Sequence, residues 1–125
     1  MPFQIKLHPQ DQIIEVIYPA APTAEDVGEY LVQMKQLIDD QRSHWYCLVD
    51  QRSLTELPAS LLEQVGVANS YAVIHGMQRS ARIVSSETAA AQANSIGKST
   101  GAIQVKVKTF VERETAVAWL RARAD

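Results

Sequence analysis

The chain holds a single cysteine, Cys47, among 125 residues. No internal disulfide can form, which excludes a disulfide-stapled secreted scaffold and suits a reducing cytoplasm. No apolar run approaches the ~20 residues that span a bilayer. The start, Met1-Pro2-Phe3-Gln4-Ile5-Lys6, lacks a charged stretch followed by an apolar one, so no secretory signal is expected. Neither sign of charge dominates, and the net charge is −2. General nucleic-acid binding needs a dominant basic field and is not expected. Glycine is scarce, at 5 residues, and none falls in a dinucleotide fingerprint or a nucleophile elbow. Ile96-Gly97-Lys98-Ser99-Thr100 copies only the end of a phosphate-binding loop. Gln92 stands where that loop needs its first glycine, and a helix is predicted where it needs a strand. His8, His44 and His75 are far apart and form no metal-ligand spacing. No nucleophile is visibly paired with a base. No cofactor or metal is implied.

What is present is an ordinary globular proportion of apolar residues, 46%, enough for one core in one domain over residues 1–125. The sharpest signal is His44-Trp45-Tyr46-Cys47-Leu48-Val49-Asp50. A short apolar run without alternation reads as a central strand covered on both faces. It ends on an acid, where open α/β sheets place their binding crevices. Cys47, mid-strand, reads as a buried inert thiol.

Phe3 to His8 alternates as a half-buried strand, and a short turn joins it to a second strand, Ile13 to Tyr18, predicted antiparallel. Thr23 caps a helix in which Val27, Tyr30, Leu31, Met34, Leu37 and Ile38 form one apolar stripe, with Leu31 mid-stripe. Pro58 opens a second helix running to about His75, with Gly76 as its left-handed stop. Leu61, Leu62, Val65, Ala68, Ala72 and Val73 are its expected buried side. Arg79 to Ser85 is the next strand. Ser85 or Ser86 caps a third helix, through Ala89, Ala90, Ala93 and Ile96 to about Gly101. Gln104 to Phe110 is the last strand. Glu112 to Arg123 is the closing helix, with Ala116, Trp119 and Leu120 on one face.

The order is β-β-α-β-α-β-α-β-α, a mixed five-stranded α/β sheet whose core strands run parallel through right-handed crossover helices. Burial is expected to be deepest at Leu48, Val49 and Ile83. Lys6, Arg82, Lys106 and Lys108 are expected on one more open sheet face.

The segments Trp45-Tyr46-Cys47-Leu48-Val49-Asp50, His75-Gly76-Met77-Gln78-Arg79-Ser80-Ala81-Arg82-Ile83-Val84 and Val107 to Leu120, set in this element order, resemble the SpoIIAA-like branch of the STAS domains. The name denotes sulfate transporter and anti-sigma-factor antagonist. The resemblance covers nearly the whole chain and implies that fold. It also implies a small stand-alone bacterial, cytoplasmic protein. The branch is similar in fold to Sec14-type lipid-transfer domains. Anti-sigma-factor antagonists carry a phosphorylatable serine in an Asp-Ser-Ser-Gly-like motif after the central strand. Here that region reads Asp50-Gln51-Arg52-Ser53-Leu54-Thr55-Glu56-Leu57-Pro58-Ala59-Ser60, without a Ser-Gly pair. Ser53, Thr55 and Ser60 are therefore only positional phosphoacceptor candidates.

Asp50, Arg52, Ser86 and Arg113 each follow or end a strand of the parallel set. They are the expected ligand- or partner-facing group at the carboxyl edge. Arg52 and Arg113 would supply forked donors, and Asp50 would orient Arg52. The plain alternative is that Asp50 caps its own turn and Arg52 is solvated. Ser85-Ser86-Glu87-Thr88 reads first as a helix cap, because Glu87 already supplies negative charge there. Trp45, Tyr46, Tyr71 and Trp119 read as core. The leading functional reading is a non-enzymatic module that binds a protein partner or small ligand, with room for a homodimer. The second is a carrier or sensor of an apolar, lipid-like molecule, lined by Tyr30, Met34, Trp45 and Leu61. An enzyme with Asp50 as general base and Arg52 as anion stabiliser comes third.

Overall fold

Five strands form one sheet in the order β1-β2-β3-β4-β5. They are β1 (Gln4–His8), β2 (Ile13–Ile17), β3 (Trp45–Asp50), β4 (Met77–Ile83) and β5 (Lys106–Phe110). The computed structural model describes residues 3–41, 44–55, 59–86 and 106–122. β1 pairs antiparallel with β2, and every later neighbour pairs parallel. Trp45–Asp50 is thus the middle strand, and all six of its residues are buried. The predicted third helix lies outside the described residues, as do Ile96-Gly97-Lys98-Ser99-Thr100 and the first residues of the predicted last strand.

Helix α1 (Ala24–Asp40) begins on a capping box. The Thr23 hydroxyl accepts from the Asp26 amide, and the Asp26 carboxylate accepts from the Thr23 amide. Its buried stripe is Val27, Tyr30, Met34 and Ile38. Leu31 is only partly buried and flanks this stripe, so its expected place in the middle is corrected. The stripe is set by the four-residue ridge through Tyr30, Met34 and Ile38, and Leu31 falls one step round the helix.

Helix α2 (Ala59–Ile74) buries Val65 and Ala72. Val73 is exposed, against expectation. It follows Ala72 directly, and a one-residue step of 100° turns it away from the sheet. The chain then reverses at Gly76, whose φ of 104° is the left-handed conformation that glycine adopts without strain.

Period-two alternation divides the strands between two cores. On one face Ile14, Val16, Trp45, Cys47 and Val49 pack under α1 and α2. On the other, Ile13, Tyr46, Leu48, Ala81 and Ile83 pack under α3 (Arg113–Arg121), through Ala116 and Leu120. Leu48 and Ile83 are fully enclosed as expected, whereas Val49 is buried but less deeply than Val16 or Val27. Arg82 alternates with Ala81 and Ile83, so it belongs to the α1/α2 face. It cannot share a face with Lys6, which pairs opposite Glu15, or with Lys108, which pairs opposite Ala81. The expected four-residue basic face is therefore corrected. The side chain of Lys106 lies outside the described set.

The aromatic residues divide likewise. Trp45 and Tyr46 are core, and the Trp45 indole donates to the His75 carbonyl at 3.0 Å. Tyr71 and Trp119 are partly buried. Tyr71 packs on His75, and Arg79 lies over the Trp119 ring at 4.9 Å.

Candidate functional site at the carboxyl rim

Register places the charged residues before any contact is considered. Glu15 lies opposite Leu48, and Ile17 lies opposite Asp50. Side chains two apart along a strand share a face. Glu15 and Asp50 are therefore near neighbours on the face that α3 covers. Arg113 is the first residue of α3, and Arg52 lies in the turn that leaves β3.

Two guanidinium forks result. Arg52 donates from Nε to Asp50 Oδ1 at 3.0 Å and from Nη2 to Oδ2 at 2.8 Å. The Arg52 amide also donates to Oδ1, at 3.1 Å. Arg113 donates from Nε to Glu15 Oε2 at 3.2 Å and from Nη2 to Oε1 at 2.9 Å. His8 Nε2 lies 2.8 Å from the same Glu15 Oε1. His8 faces Ile13 across the strand pair. It reaches Glu15 on the diagonal, the expected range for a same-face neighbour.

The two pairs form one electrostatic group. Burial disfavours charge on Asp50, but the Arg52 hydrogen bonds and charge, helped by Arg113, outweigh it and hold the carboxyl below its ordinary range. Burial likewise opposes charge on Glu15, and Arg113 and His8 overcome it. Each arginine is in turn held more firmly protonated, chiefly by its own carboxylate. The carboxylates are buried, while the side chains of Arg52 and Arg113 remain 44% and 42% exposed. The pairs thus present fixed guanidinium edges to solvent. Cys47 takes no part in this chemistry, since burial pushes its thiol up to about 12.

The structure brings Asp50, Arg52 and Arg113 together. Ser86 is exposed just past β4 on the same rim. Glu15 and His8 were missed by sequence reasoning. The available signal was an acid inside the apolar strand Ile13-Ile14-Glu15-Val16-Ile17, since a charge in such a run needs a partner. Ser53 is exposed in the turn after β3, and Ser60 is exposed near the start of α2. The Thr55 hydroxyl donates to the Ala20 carbonyl at 3.0 Å. Tyr30, Met34 and Trp45, the expected lining of an apolar ligand pocket, are core residues at 4%, 4% and 1% exposure. The side chain of Leu61 lies outside the described set. Among the described residues no three or more His, Cys, Asp or Glu side chains are grouped so as to hold a metal ion. None of the described helices is long and apolar enough to cross a membrane.

The profile of the SpoIIAA-like family matches residues 13–121. The chain belongs to the SpoIIAA-like family. An uncharacterized protein of the DUF3478 family from Shewanella loihica, with a SpoIIAA-like fold, superposes with a TM-score of 0.76 at 16% identity. That alignment covers 94% of this chain and 91% of the other. An anti-sigma-factor antagonist (STAS) domain protein from Planctomyces limnophilus superposes with a TM-score of 0.62 at 10% identity, covering 96% of this chain and 98% of the other. At these identities the likeness concerns the fold. No curated protein matches the chain. The α/β architecture with a mixed five-stranded sheet, expected from the sequence, is that of SpoIIAA-like STAS domains.

Proposed function

We propose that this protein is a non-enzymatic binding module that docks a partner protein at the carboxyl rim of its sheet, through Arg52 and Arg113. The observation that supports this reading is the pair of forks. Two half-exposed guanidiniums are each fixed from behind by a buried carboxylate and stand on the edge where parallel sheets bind. Fixed forks lose little entropy when they engage a further carboxylate. Ser86, on the same rim, supplies a weaker polar contact. Asp50 and Glu15 orient the arginines and carry no catalytic role, because each is committed to a cation. Membership of the SpoIIAA-like family, with a STAS fold, agrees with a regulatory rather than a chemical task.

The test is quantitative capture with the tagged full chain, comparing wild type, Arg52→Ala and the exposed α2 variant Glu63→Ala. Arg52→Ala should keep its fold and lose the retained partner by about tenfold or more, equivalent to ~1.4 kcal/mol. Glu63→Ala should retain it. Equal retention by wild type and Arg52→Ala would remove the rim from the binding surface.

A further inference from the structure

The sheet leaves one strand edge beside a groove that the rim does not explain. β1 is the end strand, paired only with β2 among the described residues. An end strand presents backbone N–H and C=O groups that can template another strand. Alongside this edge runs an open groove of about 470 Å³. Its floor includes Ile5 and Leu7 of β1 and Leu37 of α1, and its α1 wall carries Gln33, Gln36 and Asp40. Leu7 is 47% exposed although it lies on the core-facing side of β1. Ile5 and Leu7 stand two apart, which is the spacing of alternate side chains on an added strand.

We propose that β1 accepts an extended segment of a partner protein as a sixth strand. Its alternate apolar side chains fill the groove against α1, and its other face carries an acid beside Lys6. Affinity would come from main-chain hydrogen bonds and selectivity from the groove, as in strand-addition recognition generally. The charge along β1 selects the occupant. Lys6 is exposed at the centre of β1, on the face away from the groove. A directly opposite acid is favoured there and a like charge is disfavoured. A second copy of β1, laid antiparallel with full overlap, would set Lys6 against Lys6. A parallel copy would not close a two-fold dimer. The edge therefore disfavours self-pairing and suits a foreign strand. A basic residue on that strand can reach Asp40, where the groove wall ends.

The test is selection of a displayed library of random heptapeptides on the immobilised full chain. Parallel selections use Leu7→Asp, which alters an exposed groove residue, and Lys6→Glu. Wild type should enrich sequences with apolar residues at every second position and an acid on the opposite phase. Leu7→Asp should reduce that enrichment by about tenfold or more. Lys6→Glu should exchange the acid for Lys or Arg at that position. Circular dichroism of each variant should match wild type, and an unfolded Leu7→Asp would be replaced by the milder Leu7→Ser. No enrichment, enrichment without alternation, or enrichment unchanged in the variants would each overturn the proposal. So would a wild-type dimer, seen by light scattering, that becomes monomeric on Leu7→Asp, because that assigns the groove to a second copy.

Discussion

Arg113 forks onto Glu15 across a sequence separation of 98 residues, tying the first turn of α3 to the middle of β2. A cation at a helix N-terminus opposes the helix dipole. Glu15 supplies the compensating charge, and Arg113 satisfies a carboxylate that is only 3% exposed. Arg113→Ala should therefore destabilise the fold by ~1–3 kcal/mol, the usual cost of leaving a buried acceptor short of its partner. Arg113→Lys should recover only part of this, since an ammonium cannot reproduce the fork. Urea denaturation of the three proteins checks both statements. A loss below about 0.5 kcal/mol for the alanine variant, the level of ordinary surface changes, would show that His8 and water suffice for Glu15.

The same pairs set a pH dependence. The carboxyls of Asp50 and Glu15 are held below their ordinary range in the folded state, where their cations outweigh burial. Groups lowered in this way stabilise fully above their unfolded values and lose that contribution as pH falls through the folded ones. The stabilisation should be complete above about pH 5 and fade below about pH 4. The stability difference between wild type and Glu15→Gln, measured by urea midpoints from pH 7 to pH 3, should shrink on acidification. A difference independent of pH would contradict the ionic reading of the cluster.

On helix α1 the cost of truncation should follow burial rather than apparent centrality. Met34→Ala and Ile38→Ala should each cost ~2–5 kcal/mol, because both side chains are enclosed and leave cavities. Leu31→Ala should cost less than either, since Leu31 only flanks the stripe. Chemical denaturation ranks them, and a Leu31→Ala loss equal to that of Met34→Ala would mean that the buried stripe of α1 is centred nearer Leu31 than Met34.

No serine-phosphate switch is expected after β3. Intact-mass analysis of the protein from its native cells should show no stoichiometric phosphate at Ser53, Thr55 or Ser60. The Asp-Ser-Ser-Gly-like signature is missing, and the Thr55 hydroxyl is already bound to the Ala20 carbonyl. Near-complete phosphorylation at any of the three would restore the antagonist-type switch.

Much of the fold was legible because its signals are local. Trp45–Val49 lacks polar alternation because helices cover both its faces, so burial wrote itself into composition. The Thr23 cap and the Gly76 stop are single-residue backbone requirements and were read directly. The faces were harder. Arg82 looked like a companion of Lys108, but only the observed β4–β5 register sets it on the opposite side. The site was half legible for the same reason. Asp50 and Arg52 are two residues apart, and their strand end predicts the rim. Glu15 gave no indication of its partner, because charge pairing between β2 and α3 depends on the closed sheet. The β1 groove was not legible either, since it is a property of two elements meeting.

If the rim around Arg52 is the binding surface, site-specific photo-crosslinking in cells should capture the partner there. A benzophenone amino acid is placed at Ser53, exposed beside Arg52, and separately at Val67, exposed on α2. A discrete crosslinked protein adduct should form from position 53, disappear when Arg52→Ala is added, and be missing from position 67. An adduct from position 67 alone, or one from position 53 that persists without Arg52, would contradict it.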